Sequence, residues 1–166
     1  MAVQPKPPIG ASRNALEAWL AAAAATDATL RANMLRNTHA TLEQLVGRKV
    51  PADIKVMAIE EVPTDLYLVR RFEAATEPVE AEGTQAQLLR TSIHTIAMEE
   101  EGFWEKLATD PKAVLADRLA LKLPSPVNVH VLDETANTAY LVLHHTPHLQ
   151  GWRPPPAVMQ RIAARK

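Results

Sequence analysis

Two stretches of the 166-residue chain decide its architecture: Val50–Val69, VPADIKVMAIEEVPTDLYLV, and Leu123–Val142, LPSPVNVHVLDETANTAYLV. Slid by 73 positions, they align without a gap. Pro51 falls on Pro124, Glu60-Glu61 on Asp133-Glu134, and Tyr67-Leu68-Val69 on Tyr140-Leu141-Val142. Ile54, Val56 and Ala58 fall on Val127, Val129 and Val131, so the apolar alternation is kept. Upstream, Ala40 and Leu42 fall on Ala113 and Leu115. A shared proline, an acidic pair and a Tyr-Leu-Val in one register are hard to obtain by chance. The segments from about Leu30 to Val69 and from Phe103 to Val142 are read as two copies of one unit. Two copies are too few for a solenoid, which needs about three.

Each copy reads as helices followed by strands. In the second, Leu89, Ile93, Ile96, Glu100, Phe103 and Leu107 recur at spacings of three and four, an amphipathic helical face. Asp110-Pro111 restarts the chain as N-cap and first helical residue, and Val114, Leu115 and Leu119 carry the next apolar face. In the first copy Asn37 takes the capping place, Leu42, Leu45 and Val46 follow, and Gly47 ends the helix in the left-handed conformation. Pro51 and Pro124 block further helix. Val127, Val129 and Val131 alternate with Asn128, His130 and Leu132, predicting a half-buried strand, with a second at Tyr140–Leu143. The first copy gives strands at Ile54–Ile59 and Leu66–Val69. The predicted fold is α+β: a duplicated helix-helix-strand-strand unit, layered α/β/β/α with helices outside two small sheets. An open edge in each two-stranded piece also points to self-association.

The domain organisation follows. Residues 1–11 form a flexible arm, and Ser12 or Asn14 caps an alanine-rich helix. The first repeat runs over 12–72 and the second over 88–143. Between them, 73–87 is an acidic linker without a basic residue. Residues 144–166 are a proline-rich tail with a short basic helix, which Trp152 packs back onto the domain.

Composition excludes several functions. Eighteen basic residues against nineteen acidic ones leave a net charge of −1, so binding to nucleic acid by phosphate neutralisation is not expected. No apolar run approaches the ~18 residues that span a bilayer, and the N-terminus makes a poor secretory signal, so a cytoplasmic protein is expected. Cysteine is absent, which removes disulfides, thiolate nucleophiles and thiolate metal sites together.

Few residues remain as candidates for chemistry. His144, His145 and His148 form His-His-x-x-His at the end of the last strand, with His130 on the paired strand. Imidazoles of this kind suit zinc or nickel. Neighbouring strand residues point to opposite faces, however, so a polar strand end is preferred and no cofactor is expected. His39 and His94 read as ordinary helix residues. Glu60-Glu61 and Glu99-Glu100-Glu101 read as solvated charge. Arg36, Arg48, Lys49, Arg70 and Arg71 read as scattered surface charge.

Val127–Leu132, the acidic-Thr-x-x-x-Thr connection Asp133–Thr138, the strand Tyr140–Leu143 and Gly151-Trp152 together resemble the C-terminal half of the nitrile hydratase alpha subunit. The first unit resembles that subunit's N-terminal half, and through Leu35–Val69 the nitrile-hydratase-like leader peptides of natural-product precursors. About two thirds of the chain is covered. In the enzyme, the resemblance implies, the strand matching Leu66–Val69 runs into Cys-x-x-Cys-Ser-Cys, which holds low-spin iron or cobalt. Here Arg70, Glu73 and Ala75 stand at the thiolate positions. The expectation is therefore a non-catalytic, leader-like recognition or scaffold module for a partner protein or modifying enzyme. An enzyme subunit with an altered or lost metal site and a self-associating structural protein are the alternatives. The tail after His148 has no Cys, Ser or Thr, so an ordinary complete precursor is not expected.

Overall fold

In the computed structural model, which describes residues 13–72 and 84–164, the first repeat opens with three helices. They are α1 (Arg13–Thr26), α2 (Ala28–Arg36) and α3 (Thr38–Val46). Strands β1 (Lys55–Glu60) and β2 (Asp65–Arg70) follow. The second repeat has α4 (Gln85–Glu99), α5 (Phe103–Thr109), α6 (Pro111–Leu119), β3 (Asn128–Asp133) and β4 (Thr138–Leu143). A 3-10 turn at Thr146–Leu149 and α7 (Pro156–Ala164) complete the chain. The α+β class read from the sequence stands.

Each repeat has three helices rather than two. The run from Leu89 to Leu107, read as one apolar face, is cut between Glu99 and Phe103: Glu100 turns extended at the end of α4, and Gly102, with a left-handed φ of 80°, precedes α5. At the matching point of the first repeat Asp27 breaks the helix, and its carboxylate caps α2 by accepting from the Leu30 N–H at 3.0 Å. Asn37 and Asp110 stand at the N-cap positions of α3 and α6 but make no side-chain cap bond. Ser12 lies outside the described residues, and Asn14 falls within α1. The end of the acidic stretch, from Gln85, opens α4 behind a capping box of Thr84 and Gln87.

The strands of one repeat pair with those of the other. β1 pairs with β4 and β2 with β3, both in parallel. Lys55 lies opposite Thr138, and Asn128 opposite Asp65, so one register is used twice. The described chain accordingly divides into two compact units that cut across the repeats. One holds the residues up to Glu60 with Glu134–His144; the other holds Glu61–Asp133 and the residues from His145.

In the first unit, Leu20, Ala24, Met34, Leu42, Leu141 and Leu143 form the core. In the second, Leu66 and Leu68 of β2 meet Ile96, Phe103, Leu107, Leu115 and Leu119 from the helices. Trp152 joins that core, and its indole N–H donates to the buried Leu119 carbonyl at 2.8 Å, so the tail packs back as expected. No described helix is long and apolar enough to cross a membrane.

Candidate functional site

The link between the two strands of each repeat carries a buried carboxylate. Glu61 is 5% exposed and Glu134 is 8% exposed, which corrects the reading of Glu60-Glu61 as solvated charge. The cause is local. Tyr67 and Tyr140 turn a backbone N–H away from the parallel partner strand, and the carboxylate six residues earlier accepts it. Both bonds are 2.8 Å long. A side chain thus satisfies a donor that would stand open at a sheet edge.

Beyond this bond the two carboxylates are used differently. Glu61 accepts the His145 N–H at 2.9 Å, tying the tail to the start of β2. Glu134 takes the Arg13 guanidinium in a bidentate pair, one arm at 2.8 Å, and Arg13 also donates to the Tyr140 carbonyl at 2.8 Å. Burial pulls the Arg13 pKa down, but bonding to Glu134 and the nearby Glu17 charge outweigh it and leave the pKa raised.

A second cluster sits on the face of the β2–β3 sheet opposite to Leu66 and Leu68. His130 and Asp65 meet at 2.6 Å, and the His130 ring stacks on Tyr67 with centroids 4.8 Å apart. Thr64 donates to the same carboxylate at 2.9 Å. Bonding to His130 is the largest cause holding Asp65 below the usual carboxylate range, with Thr64 next and the His148 charge adding to it. His148 Nε2 lies 2.8 Å from the Val62 carbonyl and 2.9 Å from that of Asp65, so it acts as the donor to both. His145 meets His148 edge-on at 4.9 Å between centroids. His144 ends the first unit, half-buried. Among the described residues no three His, Asp or Glu side chains gather as a group able to hold a metal ion.

The other candidates are dispersed. His39 pairs with Glu43 one helical turn away at 2.6 Å. His94 is buried on α4. Glu99 accepts from Arg161 at 2.6 Å and Glu100 from Arg118 at 2.8 Å. At the end of β2, Arg70 reaches Glu105 of α5 at 3.2 Å in an exposed pair. Arg71 is 7% exposed, which corrects its reading as surface charge. It follows the parity of Tyr67 and Val69, whereas Arg70 follows that of Leu66 and Leu68. Phe72, next in the chain, is well exposed. Glu73 and Ala75 lie outside the described residues.

The sequence alone did not show Arg13 as a partner, nor Glu61 and Glu134 as buried. One signal could have found the carboxylates, since each stands six residues before a Tyr in both copies.

The chain has relatives. A family model for the alpha chain of nitrile hydratase matches residues 9–153. The chain belongs to the nitrile hydratase alpha-chain family. Two solved structures carry the same fold, both of the iron-type nitrile hydratase from Comamonas testosteroni Ni1. One is a double mutant with two histidines changed to tryptophan, at a TM-score of 0.55 and 22% identity over 87% of this chain. The other has two histidines changed to alanine, at 0.53 and 22% over 89%. The chain spans 64% and 65% of those two chains. No curated protein matches the sequence. Within the family match lie all six helices of the two repeats, both parallel strand pairs and Trp152; α7 lies beyond it.

Proposed function

We propose that this nitrile-hydratase-alpha-like chain is non-catalytic and serves as a leader-like recognition or scaffold module for a partner protein, such as a peptide-modifying enzyme in natural-product biosynthesis. One observation carries the reading: the chain has no cysteine. Low-spin iron or cobalt in this family is implied to need thiolates after the strand matching β2. Arg70 offers a guanidinium already paired with Glu105, Ala75 a methyl, and Glu73 a single carboxylate. This donor set does not fit the metal, and no reaction step is derived through it. The reading takes the protein to act in the cytoplasm, without nucleic acid or membrane.

Elemental analysis of tag-free protein purified without chelator, paired with copurification, tests the proposal. A metal-free folded chain that retains a stoichiometric partner is the expected result. One iron, cobalt, nickel or zinc per chain would overturn it. The second reading is a subunit with altered metal chemistry. In that case metal content would fall in a variant with His144, His145 and His148 changed to Ala. Self-association into a structural assembly would instead show as mass rising with concentration in light scattering.

A further inference from the structure

We propose that the Thr91 and Thr95 hydroxyls of α4 hold a buried water molecule between them, a hydration site built into a helix that is closed off from solvent. α4 is covered on most of its circumference: Leu88, Leu89 and every residue from Thr91 to Ile96 are buried. A polar side chain in such a place needs a partner, because burial strips it of solvent. Ser92, which is fully covered, meets that need within the helix, its hydroxyl donating to the Leu88 carbonyl at 2.7 Å. Thr91 and Thr95 are 3% and 0% exposed, yet among the described residues neither hydroxyl oxygen has a hydrogen-bond partner. Neither takes the carbonyl one turn back, the bond that Ser92 makes.

The spacing fits one water. Thr91 and Thr95 are four residues apart, so they stand on one face of α4 with Cβ atoms about 5–6 Å apart. A water that makes O–H···O bonds of about 2.8 Å to two oxygens bridges a gap of up to about 5.6 Å. Two bonds are within the range of about two to four that hold a buried water. The duplication shows that the fold does not demand hydroxyls here. At the 73-residue offset, Ala18 and Ala22 of α1 stand in the places of Thr91 and Thr95. Those two places are half-buried and exposed in the first unit, so a hydroxyl there would keep its solvent. The hydroxyls occur instead in the copy where the helix is closed off, and where an unpaired one costs most. A bound water removes that cost. The site is independent of the recognition-module reading, because it concerns how α4 is buried whether or not a partner binds.

A crystal structure of the full chain, at a resolution that shows ordered water, is expected to place one water within hydrogen-bond distance of both Oγ1 atoms. Density without a water there, or hydroxyls turned onto the Gln87 and Thr91 carbonyls, would overturn the proposal. Near-isosteric variants give a second readout that needs no crystal. Thr91→Val and Thr95→Val keep the branched shape of the side chain and remove only the oxygen. Each alone takes away one of the two bonds to the water and is expected to lower the urea midpoint at unchanged m. The double variant is expected to lower it by clearly less than the two single shifts together, because the first substitution already releases the shared water. A midpoint that rises in either single variant would overturn the proposal, since an unpaired hydroxyl would then have given way to an apolar group of the same shape. Shifts that simply add would overturn it as well, since the two hydroxyls then share no ligand.

Discussion

Gly47 and Ala120 occupy the same place in the two repeats, just past α3 and α6, and both are left-handed, with φ of 68° and 52°. Their exchange is a controlled experiment. An L-residue in this region costs about 1–2 kcal/mol relative to right-handed backbone. Glycine removes that cost but loosens the unfolded chain by about 0.4–1 kcal/mol. Ala120→Gly is therefore expected to stabilise the protein by a net of about 0.5–1 kcal/mol. Gly47→Ala should lose a similar amount. A Cβ on Gly47 would meet nothing within 4 Å, so the loss is conformational and not steric. For a chain of this length the shifts in Tm are roughly 1–4 °C, upward for Ala120→Gly and downward for Gly47→Ala. Thermal unfolding by circular dichroism and urea midpoints measure both. The αL argument would be refuted by a Gly47→Ala variant as stable as the parent, or by an Ala120→Gly variant that melts lower. The Leu121 N–H, which reaches back to the Leu115 carbonyl at 3.1 Å, should remain protected from hydrogen exchange in either case.

Other substitutions probe the buried polar links. Arg13→Met leaves the nearly buried Glu134 without its bidentate partner and is expected to cost about 2–3 kcal/mol in urea unfolding, near the low end for buried pairs because Arg13 is partly exposed. Arg31→Met, which breaks the exposed pair with Glu60, should cost less than about 1 kcal/mol. Trp152→Phe strands the Leu119 carbonyl and should destabilise by about 1–3 kcal/mol, read from the same urea curves. His130→Asn should raise the titration midpoint of Asp65 toward the ordinary carboxylate value in carbon-detected NMR. Because the folded pKa of Asp65 is depressed, its contribution is present above the ordinary carboxylate pKa. That contribution is lost as pH falls through the lower folded value.

The duplication was readable because strand alternation, the two prolines and the Tyr-Leu-Val runs survive in one register. Local signals also placed Gly47, Pro111 and the docking of Trp152. Strand partnership was not readable. A hairpin and a cross-repeat parallel pair demand the same alternation along each strand, and only the choice of neighbour differs. The break between Glu99 and Phe103 was hidden because Phe103 and Leu107 continue the apolar spacing of α4 and reach the same core. Buried charge was hidden for a related reason. Glu61 and Arg71 each stand beside a like-charged neighbour, Glu60 and Arg70, and a one-residue step on extended chain reverses the face.

A duplicated scaffold also separates what the fold requires from what it tolerates. The Glu–Tyr backbone clasp occurs in both copies with the same atoms and the same length, so it belongs to the scaffold. The Asp65–His130 pair does not recur: Thr138 and Met57 hold those places in the first unit. Nor, among the described residues, does the helix that covers α4 have a counterpart on α1. Because the first unit builds the same strand pairing without the Asp65–His130 pair, that pair is not needed to build such a unit. Asymmetry of this kind is where one copy of a duplicated fold can acquire a use of its own.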